Sequence, residues 1–312
     1  MAMDTGNSAH LIRSEVWSSQ LKETLQDELQ ATTYVNWMNE FPDGDTFTIP
    51  SIGDAVQDDY AEGESVKYRA LDTGEFQFSV DQYKSSGHYI TNKARQDGFY
   101  MDQLVSSFVP KQSRAILEGV ETKIMGLQSE QTASALNNIN GAPHRFVASG
   151  TNEVFTTADF AKARYSLKKA NVPDTNLIAI VDPSVEYTIN TLANLTNVSN
   201  NPRWEGIVSD GIATGMKFIK NIYGFDVYTS NYLADANETV DSLTTAAGKA
   251  NLFFSAASDI LPFVGAWRQL PQVDSEYNKD FQREEYVTTA RYGVKLYRPE
   301  NLVVCLSDTD QV

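Results

Sequence analysis

A chain of 312 residues with 41% apolar and 11% aromatic content supports a sizeable core, and its length, near the upper limit for one core, predicts two coupled lobes. Twenty-five basic against 41 acidic residues give a formal charge of −16, which excludes a protein that holds nucleic acid by general electrostatic attraction. Cys305 is the only cysteine, which excludes an intrachain disulfide, and no run of about 18 apolar residues marks a membrane span.

The start, Met1 to Glu15, has no basic segment followed by an apolar one, so no secretory leader is expected. Residues 9 to 38 place Leu11, Ile12, Val16, Trp17, Leu21, Leu25 and Leu29 at steps of three to five, the spacing of an amphipathic helix or arm that needs a partner surface. From Phe41 to about Asn92 the pattern turns to short alternating runs. Val66 to Ala70 and Phe76 to Val80 flank Asp72-Thr73-Gly74, which predicts a long hairpin. A two-stranded hairpin is marginal alone in water, so it is expected to lie against something else, another chain included.

Residues 93 to 128 return to helical spacing through Met101, Leu104, Val105, Phe108, Ile116, Val120, Ile124 and Leu127. They predict the longest helix, about 45 to 50 Å if continuous, with Pro110 kinking it or starting a second segment. Ser129 to Asn152 has the composition of a loop. Thr156 or Thr157 then caps a helix running to Ala170, with Asp159 in its first turn. Leu177 to Val181 reads as a buried strand, and Asp182-Pro183 as the start of a helix through 195. Lys217 to Tyr223 and Phe225 to Tyr228 read as strands turning at Gly224. Asn251 to Ala256 reads as a strand, Leu261 to Trp267 as a strand or short helix, and Glu285 to Leu306 as a hairpin-like pair around Arg298-Pro299-Glu300. Helices mixed with non-local strands give an α+β class.

Motifs for chemistry are missing: the sequence has no GxxxxGK[ST], GxGxxG, HExxH, GxSxG or paired CxxC. His10, His88 and His144 fall on the arm, the hairpin region and the polar loop, which gives no shared catalytic or metal centre. Asp58, Asp59, Glu62 and Glu64 offer oxygens to calcium, yet their spacing fits no EF-hand and a solvated loop is the better reading. No catalytic, cofactor-binding or metal residue is therefore assigned, and no cofactor is expected.

The order of elements, an arm, an extended hairpin, a long helix, a central α/β lobe and a closing β segment, resembles the Hong Kong 97-type major capsid proteins of tailed phages. Two phrases carry the resemblance further. Tyr223-Gly224-Phe225-Asp226-Val227-Tyr228-Thr229-Ser230-Asn231-Tyr232-Leu233 is similar to the family's glycine-aromatic-x-Val-x-x-Ser-Asn segment, and Ala290-Arg291-Tyr292-Gly293-Val294-Lys295-Leu296-Tyr297-Arg298-Pro299-Glu300 to its closing Tyr-Gly, strand and Arg-Pro-Glu phrase.

The resemblance implies an N-terminal arm over 1–40, an extended loop over 41–92, a peripheral domain with spine helix over 93–174, an axial domain over 175–260 and a return to the peripheral domain over 261–312. It implies self-assembly through hexamers and pentamers into an icosahedral shell around double-stranded DNA, which is packaged without specific binding. A portal protein, a decoration protein and, because the arm starts almost at Met1, a separate scaffolding protein are its expected partners. No membrane is involved, the expected place is the virion, and synthesis is expected in the host cytoplasm. Lys67, Lys84 and Lys93 lie where some relatives form isopeptide bonds, but no accompanying acid pattern marks them. Aromatic candidates for contacts between subunits are Trp17, Trp37, Tyr68, Phe76, Phe78, Trp204 and Trp267. An encapsulin-like nanocompartment shell is the nearest alternative, and a soluble acidic enzyme or binding protein a more distant one.

Overall fold

The structure, a computed structural model, describes residues 29–38, 46–53, 57–63, 65–66, 68, 73–97, 101–131, 137–191, 218–245 and 247–308. In chain order the strands and helices are β1 (Val35–Met38), β2 (Thr46–Ile52), β3 (Thr73–Ser79), β4 (Gln82–Thr91), α1 (Asn92–Asp97), α2 (Met101–Gly126), β5 (Asn138–Ile139), β6 (Ala142–Pro143), β7 (Arg145–Val147), α3 (Thr157–Lys169), β8 (Leu177–Val181), α4 (Pro183–Thr191), β9 (Phe218–Ile222), β10 (Phe225–Thr229), β11 (Thr239–Val240), β12 (Leu243–Thr244), β13 (Gly248–Ser255), β14 (Phe263–Asn278), β15 (Arg283–Leu296) and β16 (Val303–Asp308).

Two mixed sheets organise these elements. One has four strands in the order β1-β14-β15-β4 and the other six in the order β7-β16-β13-β8-β10-β9. Strand β8 lies inside the six-stranded sheet, parallel to β10 and antiparallel to β13, and all five of its residues are buried, as expected for a strand covered on both faces. Phe146, Phe155, Phe160, Phe225 and Phe253 pack on one of those faces with α3 and α4. On the other face Ile178, Ile180, Leu252, Phe254, Val304 and Leu306 share a core with Val120 and Ile124 of α2 and with Phe263, Tyr292 and Val294 of the four-stranded sheet.

Several local expectations match. The α3 helix begins at a capping box in which the Asp159 carboxylate accepts from the backbone N–H of Thr156 at 2.8 Å. Helix α4 starts at Pro183, and β9 and β10 turn at Tyr223-Gly224, both with positive φ (51° and 90°), the conformation a tight two-residue hairpin needs.

Other expectations are corrected. The strand at 73–79 pairs antiparallel with Thr46–Ile52; of its expected partner Val66–Ala70 only Val66 and Tyr68 are among the described residues, and neither is in a strand. Alternation identified the inward face of β3 but not its partner. Gly74 is a strand residue paired with Ser51 and not part of a turn. Residues 31–38 are a 3-10 turn and a strand, not a helical continuation; the remainder of the amphipathic segment lies outside the described residues. Helix α2 runs through Pro110 for 26 residues, about 39 Å, and Pro110 is exposed, where its ring meets water instead of the sheet that α2 crosses. The stretch 129–152 contains the β5–β6 hairpin and the wholly buried β7. At the end of the chain, β15 pairs with β14 and β4 while β16 inserts between β13 and β7. Arg298-Pro299-Glu300 therefore lies on the crossover between sheets, and the long hairpin turns instead at 279–282.

Candidate interaction surfaces

The described part of the chain opens with a clip that joins α2 to both sheets. Glu121 of α2 is fully buried, and its carboxylate accepts from the backbone N–H groups of Gln30 and Ala31 at 2.8–2.9 Å. Tyr34 stands edge-on to Phe254 of β13 at 5.2 Å. Its hydroxyl is pushed up to about 12, first by burial and then by Tyr228, Glu121 and Asp226. Trp37 stacks on Trp267 of β14 at 5.0 Å and donates from Nε1 to the Thr32 carbonyl at 2.9 Å. The segment leading to residue 29 is thereby rooted on the body at a fixed point.

Among the described residues, the β2–β3 ribbon meets the body at its base. Phe78 is buried with Val80, Val264 and Ala266, and Phe76 meets Tyr297 edge-on at 5.0 Å with the Lys295 ammonium 5.2 Å from its ring. Towards the far end Tyr60, Val66 and Tyr68 are exposed, Tyr68 to 94%.

A third surface is the far half of the β14–β15 hairpin with β4. Its inner side is bolted to α2 through Gln112, whose Nε2 lies 2.8 Å from His88 Nδ1 and which accepts from the Thr288 hydroxyl at 3.2 Å. Arg283 sits 4.5 Å from the Tyr89 ring and 4.7 Å from that of Phe281 while its Nε donates to Glu285 at 2.6 Å, so guanidinium and rings hold one another in place. Hydrogen bonding from Arg283, with a smaller contribution from Asn278, holds the Glu285 carboxyl below its ordinary range. Arg95 pairs with Glu284, and the same region encloses a polar recess of about 250 Å³ bordered by Ser275, Glu276, Tyr277 and Tyr286.

Of the aromatic candidates read from the sequence, Trp37, Trp267 and Phe78 are packed within the chain itself, Phe76 is half-buried, and Tyr68 is open. Trp17 and Trp204 lie outside the described residues. The exposed rings of Tyr83, Tyr89, Tyr277 and Phe281 were not singled out. The sequence signal for the first two was their even spacing, which places both on one face of a strand. Among the described residues no group of three or more His, Cys, Asp or Glu is placed to hold a metal ion, and no helix is long and apolar enough to cross a membrane. His88 and His144 occupy separate structural hydrogen-bond networks.

Residues 74–305 match the family model described as phage capsid protein. No curated protein matches the sequence significantly. Among solved structures, a capsid chain of the cyanophage P-SCSP1u superposes with a TM-score of 0.73 at 13% identity, covering 98% of this chain and 95% of that one. A chain from Mycobacterium phage Che8 gives 0.69 at 18% identity over 94% and 97%, and a capsid chain of Ralstonia phage GP4 gives 0.65 at 10% identity over 98% and 97%. The architecture is thus similar to theirs along nearly the whole chain, with little sequence in common.

Proposed function

This chain belongs to the phage capsid protein family, a major capsid protein of a tailed phage that forms a shell with its own copies, and from that membership we propose how its parts divide the work. The subunits assemble as hexamers and pentamers into an icosahedral shell around double-stranded DNA, a purely structural role without catalysis. Residues 1–40 are the arm, rooted at the Glu121 clip. The ribbon and its connection, within 41–92, reach a neighbouring subunit. Helix α2 and the four-stranded sheet form the peripheral domain, and the lobe built on 175–260 surrounds the capsomer axis. A separate scaffolding protein, a portal and a decoration protein are the partners, with synthesis in the host cytoplasm.

The observation that carries this reading is the ribbon: a strand pair held by its base that leaves Tyr60, Val66 and Tyr68 in water is unfavourable unless something covers it. An overall charge of −16 suits a wall that must not adhere to the polymer it contains.

Expression of the chain alone and with a scaffolding partner, followed by sedimentation and negative-stain electron microscopy, tests the proposal. Capsomers, shells or tubes are the expected products; a compact monomer under every condition would overturn it. Nuclease-protected double-stranded DNA in native particles separates a virion from a cargo-filled compartment.

A further inference from the structure

Asn140 and Gly141 are the only Asn-Gly pair in the sequence. They form the two-residue turn between β5 and β6, with φ of 50° and 79°, the left-handed geometry that asparagine followed by glycine adopts most readily. Both residues are exposed. A Cβ added at Gly141 would meet nothing within 4 Å, so the space beside the peptide nitrogen that joins them is open to water.

The same asparagine has a structural task. Its Nδ2 donates to the Lys169 carbonyl at 3.0 Å. Lys169 is the last residue of α3, and the closing carbonyls of a helix have no partner within it. Those of Ser166, Leu167 and Lys168 accept from the N–H groups of Ala170, Val172 and Asn171 at 3.0–3.1 Å. That of Lys169 accepts from Asn140, so the β5–β6 turn completes the end of α3.

We propose that Asn140-Gly141 is a site of spontaneous deamidation, where water converts the asparagine to aspartyl and isoaspartyl forms and frees β5–β6 from α3. The Gly141 nitrogen, after losing its proton to hydroxide, attacks Asn140 Cγ. The new N–C bond closes a cyclic imide as the Cγ–Nδ2 bond breaks, and Nδ2 takes a proton from water and leaves as ammonia, regenerating the hydroxide. A water then opens the imide. Breaking the bond from nitrogen to Cγ leaves aspartate; breaking the bond from nitrogen to the backbone carbonyl carbon leaves isoaspartate, whose main chain runs through Cγ. Nothing is oxidised or reduced.

The left-handed turn holds nitrogen and Cγ apart, so the pair reacts through local opening. A ladder of two residues a side is the weakest kind of hairpin, and openings of this size need little free energy. Either product undoes the cap. Aspartate turns a carboxylate, which has no hydrogen to donate, towards the Lys169 carbonyl at the negative end of the α3 dipole. Isoaspartate adds a main-chain carbon to a turn of two residues and so disturbs the pairing of β5 with β6. The reaction needs only water, and its test is independent of whether the chain assembles.

Ageing of the full chain provides that test. The folded chain and a urea-unfolded sample stand in mildly alkaline buffer, and peptide mass spectrometry after proteolysis in acid follows the amide-to-carboxylate mass gain at every asparagine. Isoaspartyl methyltransferase labels the second product in the peptide that holds residue 140. In the folded chain Asn140 is expected to convert several-fold faster than any other asparagine, with both products formed. Conversion at Asn140 that occurs only in urea, or that runs no faster than at the other asparagines of the folded chain, overturns the assignment. Aspartate formed without isoaspartate would mean that no imide closes, and overturns it too. Hydrogen exchange reads the release: amides of residues 138–143 and of the last turn of α3 should exchange several-fold faster in N140D than in wild type, and equal exchange overturns that consequence. Should N140D fail to fold, fresh and aged wild-type chains are compared in the same way, with the same two outcomes.

Discussion

Glu121 and Ala31, 90 residues apart, meet as side chain and backbone: the two carboxylate oxygens accept the Ala31 N–H at 2.9 and 2.8 Å, and one also accepts that of Gln30. A residue of the long helix thus caps the first turn of a segment it does not belong to, at the point where residues 1–28 join the body.

Glu121→Ala leaves those two N–H groups, one of them fully buried, without their acceptor and is expected to cost about 2 kcal/mol. Glu121→Gln retains one acceptor oxygen and costs less. Urea unfolding of the isolated chain gives the order wild type, Gln, Ala; an Ala midpoint equal to wild type would show that the cap contributes nothing.

The Trp37–Trp267 stack depends on a glycine. A Cβ added at Gly265 would lie 2.7 Å from Trp37 Cζ3 and 2.9 Å from Val35 Cγ1, both on the strand that pairs with β14 there. Gly265→Ala is therefore expected to push β1 off the sheet, at about 1–3 kcal/mol. Near-ultraviolet circular dichroism checks the mechanism, because loss of stability with the indole signal intact would place the strain elsewhere.

How much of this was legible in the sequence follows from the range of each interaction. The start of α3 was read to within one residue, as Thr156 or Thr157 with Asp159 in the first turn, and the β9–β10 turn was placed at Gly224, because local chemistry decides both. The partner of β3 was misread, since the alternation of Phe76 and Phe78 states which face is buried but not which strand lies alongside. The β14–β15 hairpin was missed for a related reason: Pro271 and the two register shifts interrupt the alternation that would have announced it. The clip was invisible because Glu121 looks like any charged helix residue until Ala31 arrives beside it. Of the candidate surfaces, the ribbon was foreseen as an extended pair needing cover, while the Arg283 cluster, assembled from two separate stretches of chain, was not.

Arg145 is fully buried in β7. Nε and Nη2 donate to the two oxygens of Glu238 at 2.9 and 2.7 Å, and Nη1 donates to the Gln128 carbonyl, the Gln128 side chain and the Gln131 carbonyl at 2.7–3.2 Å. One guanidinium therefore ties the segment after α2 to the six-stranded sheet and to the loop carrying β11. Removing one partner of a buried pair costs about 3–5 kcal/mol. Arg145→Ala should fall at the lower end, because Glu238 is 27% exposed and water can solvate its carboxylate once the arginine is gone. Glu238→Gln, which keeps an acceptor, should cost clearly less. Chemical denaturation of both variants checks the ranking, and equal losses would contradict it.

His144 supplies a pH dependence whose sign can be worked out. The ring is fully buried, with Nδ1 3.1 Å from the Ala142 carbonyl and Nε2 3.2 Å from that of Glu300. Burial lowers its pKa below 6.5; the two carbonyls pull it up but do not cancel the lowering. The unfolded chain therefore binds the proton more readily than the folded one, and stability falls as pH drops below about 6.5 until the folded value is reached, where this contribution levels off. Thermal melting at pH 7.5 and 5.5 should show the wild-type chain losing more than His144→Gln, which cannot titrate at that position. Because the carboxylates of so acidic a chain titrate lower still, the comparison belongs at pH 5.5 and above, and an identical loss in both chains would mean that His144 takes up no proton on unfolding.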